Sequence, residues 1–210
     1  MKKYLILGLL LLLAACGQAV EEQPSGTDYA YPEYILETRE GFVYPSFFGI
    51  DASDEVNATV QNFIEELGTT SDFQIGYYSG ELLSIRFEGE STAGAYPRKI
   101  VAGLNIDLTT GQAISLEDVI LGDYGILAEL IAGEVTEQWQ ELGADTGAEP
   151  LTTADDVLAV IGNSYADGFS FYIDNYQIAF IFDVVHALDD VIVIYLPVNE
   201  IADYNQLILP

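Results

Sequence analysis

The chain has 210 residues, of which 50% are apolar, and sets 34 acidic side chains against 6 basic ones for a formal charge of −28. With 14 Tyr and 10 Phe to bury, disorder over most of the length is excluded. A field of this sign also repels phosphate, which excludes nucleic acid and anionic lipid headgroups as charge-driven partners.

Met1-Lys2-Lys3-Tyr4 precedes an apolar run from Leu5 to Ala15, broken by Gly8. Crossing about 30 Å of hydrocarbon needs roughly 20 helical residues, so the run has the layout of a secretion signal and not of a permanent span. It ends in Leu13-Ala14-Ala15-Cys16, which resembles the lipobox of bacterial lipoproteins. The resemblance implies cleavage before Cys16, transfer of diacylglycerol to its thiol and acylation of the new amino terminus, two signals that together anchor stably. Gly17 stands where Asp would signal retention in an inner membrane. The expected location is therefore extracytoplasmic, on the cell membrane, or on the outer membrane of a two-membrane cell. Losing Lys2 and Lys3 takes the charge from −28 to −30, and Cys16 is the only cysteine, so no disulfide can form. Nothing after Cys16 is expected to reach the cytoplasm, which argues against direct transmembrane signalling.

Residues 16–28, with Glu21-Glu22-Gln23-Pro24-Ser25-Gly26, read as a flexible tether, and 29–210 as one domain. An extended stretch, Tyr34 to Phe48, precedes a helix for which Asp51 or Ser53 is the expected cap. Val56, Val60, Phe63, Ile64 and Leu67 are its apolar stripe and Gly68 its stop. Phe73 to Tyr78 and Glu81 to Glu88 form a hairpin about Ser79-Gly80, with Gly80 expected at positive φ. In its second arm Leu83, Ile85 and Phe87 alternate with Ser84, Arg86 and Glu88, which predicts one core face and one wet face. A loop from Ser91 to Arg98 leads to a strand from Lys99 to Asp107 and a Thr110-Gly111 turn. Ser115-Leu116-Glu117-Asp118 then has capping-box spacing with Asp in the place of Glu. The longest helix is expected from Tyr124 to Leu142, on Leu127, Leu130, Ile131, Val135, Trp139 and Leu142. A linker from Asp145 to Thr152 and a short helix from Thr153 to Gly162 follow. Three strands, Gly168 to Ile173, Gln177 to Phe182 and Val191 to Leu196, lead to Pro197 and a return from Val198 to Tyr204. The sum is an α+β domain, an antiparallel β-sheet with two or three helices packed on one face.

The motifs between Glu81 and Ile120 occur in a known order. Ser84-Ile85-Arg86-Phe87, Ala93-Gly94-Ala95-Tyr96-Pro97, Asn105-Ile106-Asp107-Leu108-Thr109-Thr110-Gly111 and Leu116-Glu117-Asp118-Val119-Ile120 resemble an extracytoplasmic domain family. That family includes the domain of the lysozyme-sensing anti-sigma factor RsiV and the N-terminal region of the peptidoglycan deacetylase PdaC. Phe171 to Ala179 resembles its late hairpin, and Tyr44-Pro45 with the helix around Asn57 its opening half. The resemblance implies a recognition or sensing module whose ligands are lysozyme-like basic proteins or cell-wall glycan, without the deacetylase chemistry of PdaC. Its loop supplies the candidate binding residues Ala95, Tyr96 and Pro97. Tyr96 stands where the family usually has His, so a role for that imidazole does not carry over.

No catalytic residues, metal ligands or cofactor are expected. His186 is the only histidine, too few for a zinc site, and it reads as a loop residue beside Asp183, Asp189 and Asp190. No Gly-x-Ser-x-Gly elbow or phosphate-cradling loop is present, and calcium, which the oxygen ligands suit better, finds no EF-hand spacing. Tyr29, Tyr31, Tyr34, Phe42, Tyr44, Phe47 and Phe48 crowd the start of the domain, as a recognition platform or as core of the first strands. The acidity likewise has two uses, attraction of cationic partners or a hydrated coat serving solubility. A non-catalytic binding or sensing lipoprotein is the expected function. The rivals are an envelope glycan hydrolase with paired carboxylates and a purely structural lipoprotein.

Overall fold

Glu40 and Gly41 take positive φ, 55° and 93°, which is the twist a two-residue hairpin turn needs. The first extended stretch therefore folds back on itself as β1 (Glu33–Arg39) and β2 (Phe42–Phe48), antiparallel from Glu33↔Phe48 to Arg39↔Phe42. The computed structural model describes residues 31–92, 96–119, 124–141, 153–157, 159, 170–183 and 191–199. All lie in the second of two compact units, Met1–Ala30 and Tyr31–Pro210.

Helix α1 (Ser53–Leu67) follows, with Val56, Val60 and Ile64 buried and Phe63 and Leu67 packed at the edge of the same cluster. Neither expected cap is used. The N-cap is Ala52, left-handed at φ 50° and without a side-chain bond, and Asp54 and Glu55 in the first turn supply the favourable negative charge instead. Gly68 ends the helix, its N–H reaching the carbonyl of Ile64.

A four-stranded sheet comes next: β3 (Asp72–Tyr78), β4 (Leu82–Ser91), β5 (Arg98–Asp107) and β6 (Gln112–Ala113) in sequential order. Gly80 is not at positive φ. Ser79 closes the β3–β4 turn, donating its N–H to the Leu82 carbonyl at 2.8 Å while its hydroxyl accepts the N–H groups of Glu81 and Leu82. Ser115 and Asp118 start the short α2 (Leu116–Val119): the Asp118 carboxylate accepts the Ser115 N–H at 2.8 Å and its hydroxyl at 2.7 Å. The long helix is α3 (Tyr124–Glu141), burying Leu127, Ile131 and Val135; the side chains of Trp139 and Leu142 lie outside the described residues. Thr153 and Asp156 bond each other at the start of the short helix, whose end, like the linker and the return beyond 199, lies outside the described residues. The last sheet is β7 (Ser170–Asp174), β8 (Gln177–Asp183) and β9 (Val191–Pro197).

Each larger sheet packs against a long helix. Leu83, Ile85, Phe87, Leu104 and Ile106 pack on α1 with Tyr44 and Phe47, while Phe171, Ile173, Ile178, Phe180, Ile192 and Ile194 pack on α3. The result is the expected α+β domain with antiparallel strands, apportioned to three sheets. The second face of β4 is not wet. Ser84 is fully buried because β7 crosses that face, and its edge ends on side chains and not on another strand. Ser84 accepts the Ile173 N–H at 2.7 Å and donates to the Asn105 side-chain oxygen at 2.7 Å, while the Asn105 amide donates to the Phe171 carbonyl at 2.9 Å. Glycine makes room: a Cβ on Gly103 would sit 2.1 Å from the Phe171 carbonyl oxygen, and one on Gly76 2.2 Å from that of Ile173. Among the described residues, no helix is long and apolar enough to cross a membrane.

Candidate binding surface

The four motifs behind the family resemblance are built into the fold more than into a site. Asn105 and Ser84 terminate β7. Asp107 accepts the N–H of Thr109 at 2.7 Å and of Thr110 at 3.3 Å, Leu108 is buried, and Gly111 at φ 70° lies against Glu55 while its carbonyl accepts the Thr59 hydroxyl at 2.6 Å. These backbone donors hold the Asp107 carboxyl below the usual range against the opposing effect of burial, and the two bonds from Ser115 do the same for Asp118.

Of the loop candidates, Ala95 lies outside the described residues, as does Cys16. Tyr96 is 73% exposed at the tip between β4 and β5, with Pro97 exposed beside it. The loop thus presents one ring and one rigid exit. His186, Asp189 and Asp190 lie outside the described residues, among which no group of three or more His, Cys, Asp or Glu is gathered for a metal.

The aromatic crowd at the start of the domain divides between its two readings. Tyr44 and Phe47 are core and Phe42 packs against them; Tyr31, Tyr34 and Phe48 stay exposed, and Tyr29 is outside the described residues. Beside the exposed rings stands the larger surprise, the apolar pair in the middle of β1. Ile35 is 56% exposed and Leu36 65% exposed, on opposite faces of the strand. Tyr34 is anchored edge-on against Phe47 and Phe73, at centroid distances of 5.9 and 5.6 Å, which fixes the hairpin to β3. Neighbour spacing in the sequence names these residues as strand; nothing in it says that their apolar side chains face water.

The two edges of the hairpin are treated differently. The outer edge of β2 is sealed: the Asn57 side chain accepts the Phe47 N–H at 2.8 Å and donates to its carbonyl at 2.9 Å, while the buried Thr70 donates to the Val43 carbonyl at 3.1 Å. The outer edge of β1 pairs with no described strand. Antiparallel partners alternate between exchanging both main-chain bonds and none, so every second residue of β1 turns its N–H and C=O outward. Carboxylates flank the apolar pair. Glu33, Ile35 and Glu37 share one face, and the Tyr44 hydroxyl donates to Glu37 at 3.3 Å. Burial first, and the Glu37 charge second, push the Tyr44 phenol up, so it stays a donor. Arg39 reaches Glu65 at 4.0 Å with both groups mostly exposed, an ion pair of little energetic weight.

A cation cluster lies on the other side of the four-stranded sheet. Arg86 and Lys99 share the Glu88 carboxylate, with Lys99 at 3.5 Å, and the Arg86 guanidinium lies 5.8 Å from the Tyr172 ring centroid. Tyr172 in turn shares a hydroxyl bond of 2.6 Å with Tyr195; burial, then that bond, push its phenol far above the ordinary tyrosine value. The guanidinium is thus occupied with tying the two sheets together. A cleft of about 280 Å³ opens where β5, β6 and β7 meet, beside Gly103, Asn105, Ile114, Leu116, Ser170 and Phe171. Its polar groups are engaged, Ser170 with the Gly103 main chain and Asn105 with β7.

No family model matches the chain, and no curated protein is similar to it in sequence. Solved structures similar to the chain include two DUF3298 family proteins. One is a DUF3298 family protein from Pseudomonas aeruginosa, with a TM-score of 0.52 and 11% identity over 83% of this chain and 94% of that one. The other is a DUF3298 family member from Bacteroides fragilis, with a TM-score of 0.48 and 16% identity over 84% of this chain and 92% of that one. At 11% identity the first likeness shows the fold.

Proposed function

We propose that this chain is a non-catalytic binding module, held outside the cell by a lipid on Cys16, that captures basic proteins of lysozyme type at the envelope. The observation that carries the reading is the β1 strand: an exposed apolar pair between carboxylates, on a chain of formal charge −28. Apolar area supplies contact energy, and the acidic field speeds encounter with a cationic partner and rejects anionic ones. The DUF3298 likeness in fold and the four ordered motifs support kinship with the extracytoplasmic domain family of RsiV and PdaC, in which such a module recognises and does not catalyse. The lipobox supports the location, and the tether would keep the domain clear of the headgroups that its charge repels.

Calorimetric titration of lysozyme into the chain at low and high salt tests this reading. Saturable binding that weakens with salt, with no loss of added wall polysaccharide, is the expected result. Polysaccharide loss abolished by one Asp or Glu substitution overturns it in favour of a hydrolase. Binding to wall glycan that ignores salt overturns the basic-protein assignment.

A further inference from the structure

The structure points to the outer edge of β1 as the docking site, and we infer that the basic partner adds an extended segment there as a third strand of the β1–β2 sheet. This rests on the binding-module reading and specifies its contact. Three observations converge on it. Among the described residues the main chain of β1 has no partner along its outer edge, whereas the fold spends Asn57 and the buried Thr70 on β2, and the buried Ser84 and Asn105 on β7. Exposed edges are normally blunted by charged side chains, proline or a bulge. β1 has no proline and no bulge, its register to β2 running without a break over all seven residues, and its charges, Glu33, Glu37 and Arg39, are mostly acidic, which discourages an acidic strand more than a basic one. Its central side chains, Ile35 and Leu36, are apolar and exposed on opposite faces, so an added strand would gain contact on both sides of the sheet.

The register specifies what the partner segment carries. Residues on one face recur every second position, and cross-strand neighbours lie about 5 Å apart. Glu33 and Glu37 share a face with Ile35 between them, so the matching segment has basic residues four apart with an apolar residue midway: basic, any, apolar, any, basic. On the opposite face Tyr34 and Leu36 offer a ring and an aliphatic side chain to the intervening residues. A second copy of this chain is the poorer occupant, since two surfaces of charge −28 repel before their edges meet.

The test uses the full chain and the peptide Thr-Lys-Thr-Ile-Thr-Lys-Thr. Its control is the same peptide with every internal amide N-methylated, which keeps the charge and removes the main-chain donors. The expected result is binding of the first peptide, at least about tenfold weaker binding of the second, and slowed amide hydrogen exchange confined to residues 33–39. The charge-reversed pair Glu33→Lys with Glu37→Lys loses the peptide, while Glu129→Lys with Glu137→Lys, the same charge change on an exposed face of α3, retains it. Thermal midpoints of both variants verify that they fold. Equal binding of both peptides overturns strand addition and leaves the binding module standing, as does lysozyme binding that the β1 variants do not alter. Protection of residues 33–39 that grows with protein concentration alone overturns it in favour of a second copy. Failure of both peptides and of lysozyme sinks both readings together.

Discussion

Asn105 shows how much depends on one buried amide. Its oxygen takes the Ser84 hydroxyl and its nitrogen holds the Phe171 carbonyl, so the edge of β7 is satisfied without a neighbouring strand. Replacing it with alanine strands a buried carbonyl and a buried hydroxyl, and Asn105→Ala is expected to lower unfolding stability by about 2 kcal/mol, read from the urea midpoint at unchanged slope. Sequence alternation could not reveal this, because Ser84 between Leu83 and Ile85 has the pattern of a solvent-facing residue. Only β7, 86 or more residues further on, makes that face an interior. Titration adds a second expectation at this scale. The Asp107 and Asp118 pKa values are lowered on folding, so the stability they contribute is present above their unfolded values near pH 4 and is lost as pH falls through the folded ones. Asp118→Asn should therefore flatten the acid limb of a stability-against-pH curve. The Tyr172 phenol is raised, so its contribution is present below about pH 10 and declines as pH rises beyond it; Tyr172→Phe should flatten the alkaline limb.

The β1–β2 hairpin forms a sheet of its own, apart from the four-stranded sheet. It rests on Tyr34 against Phe73, on the core rings Tyr44 and Phe47, and on the polar seals from Asn57 and Thr70. Removing one seal should loosen the hairpin before the sheet behind it. Asn57→Ala is expected to accelerate hydrogen exchange over residues 33–48 while leaving β4 and β5 protected; uniform acceleration would mean that the hairpin and sheet open as one unit. The sequence showed this region as one extended stretch. The turn was only half signalled: Gly41 is the glycine a two-residue hairpin favours, but Glu40, a non-glycine at positive φ, carries no turn signal of its own. The α1 boundaries were legible from Gly68 and the spacing of Val56, Val60 and Ile64, and the cap was not, since Ala52 gives no side-chain signature. The apolar exposure of Ile35 and Leu36 was also invisible, because period-two patterning names a strand without saying which strands find a neighbour.

At the scale of the molecule the charge dominates. Carboxylates held on one compact body repel one another, so added salt should stabilise the fold by screening, and the thermal midpoint should rise between low and moderate sodium chloride. A flat or falling midpoint would mean that local pairs outweigh the net field. The α+β class and nearly every strand were legible from composition, alternation and glycine punctuation. The division into three sheets was not, because it depends on side-chain seals and on close approaches at Gly76 and Gly103 that no local pattern announces. The loop that the motifs singled out presents Tyr96, while the broader apolar surface lies on β1. Amide hydrogen exchange of the full chain with and without lysozyme at low salt tests capture of a basic protein at β1 most directly. Slowed exchange centred on residues 33–39 that fades as salt is raised is the expected result; lysozyme bound with that strand unprotected, or with protection indifferent to salt, would contradict it.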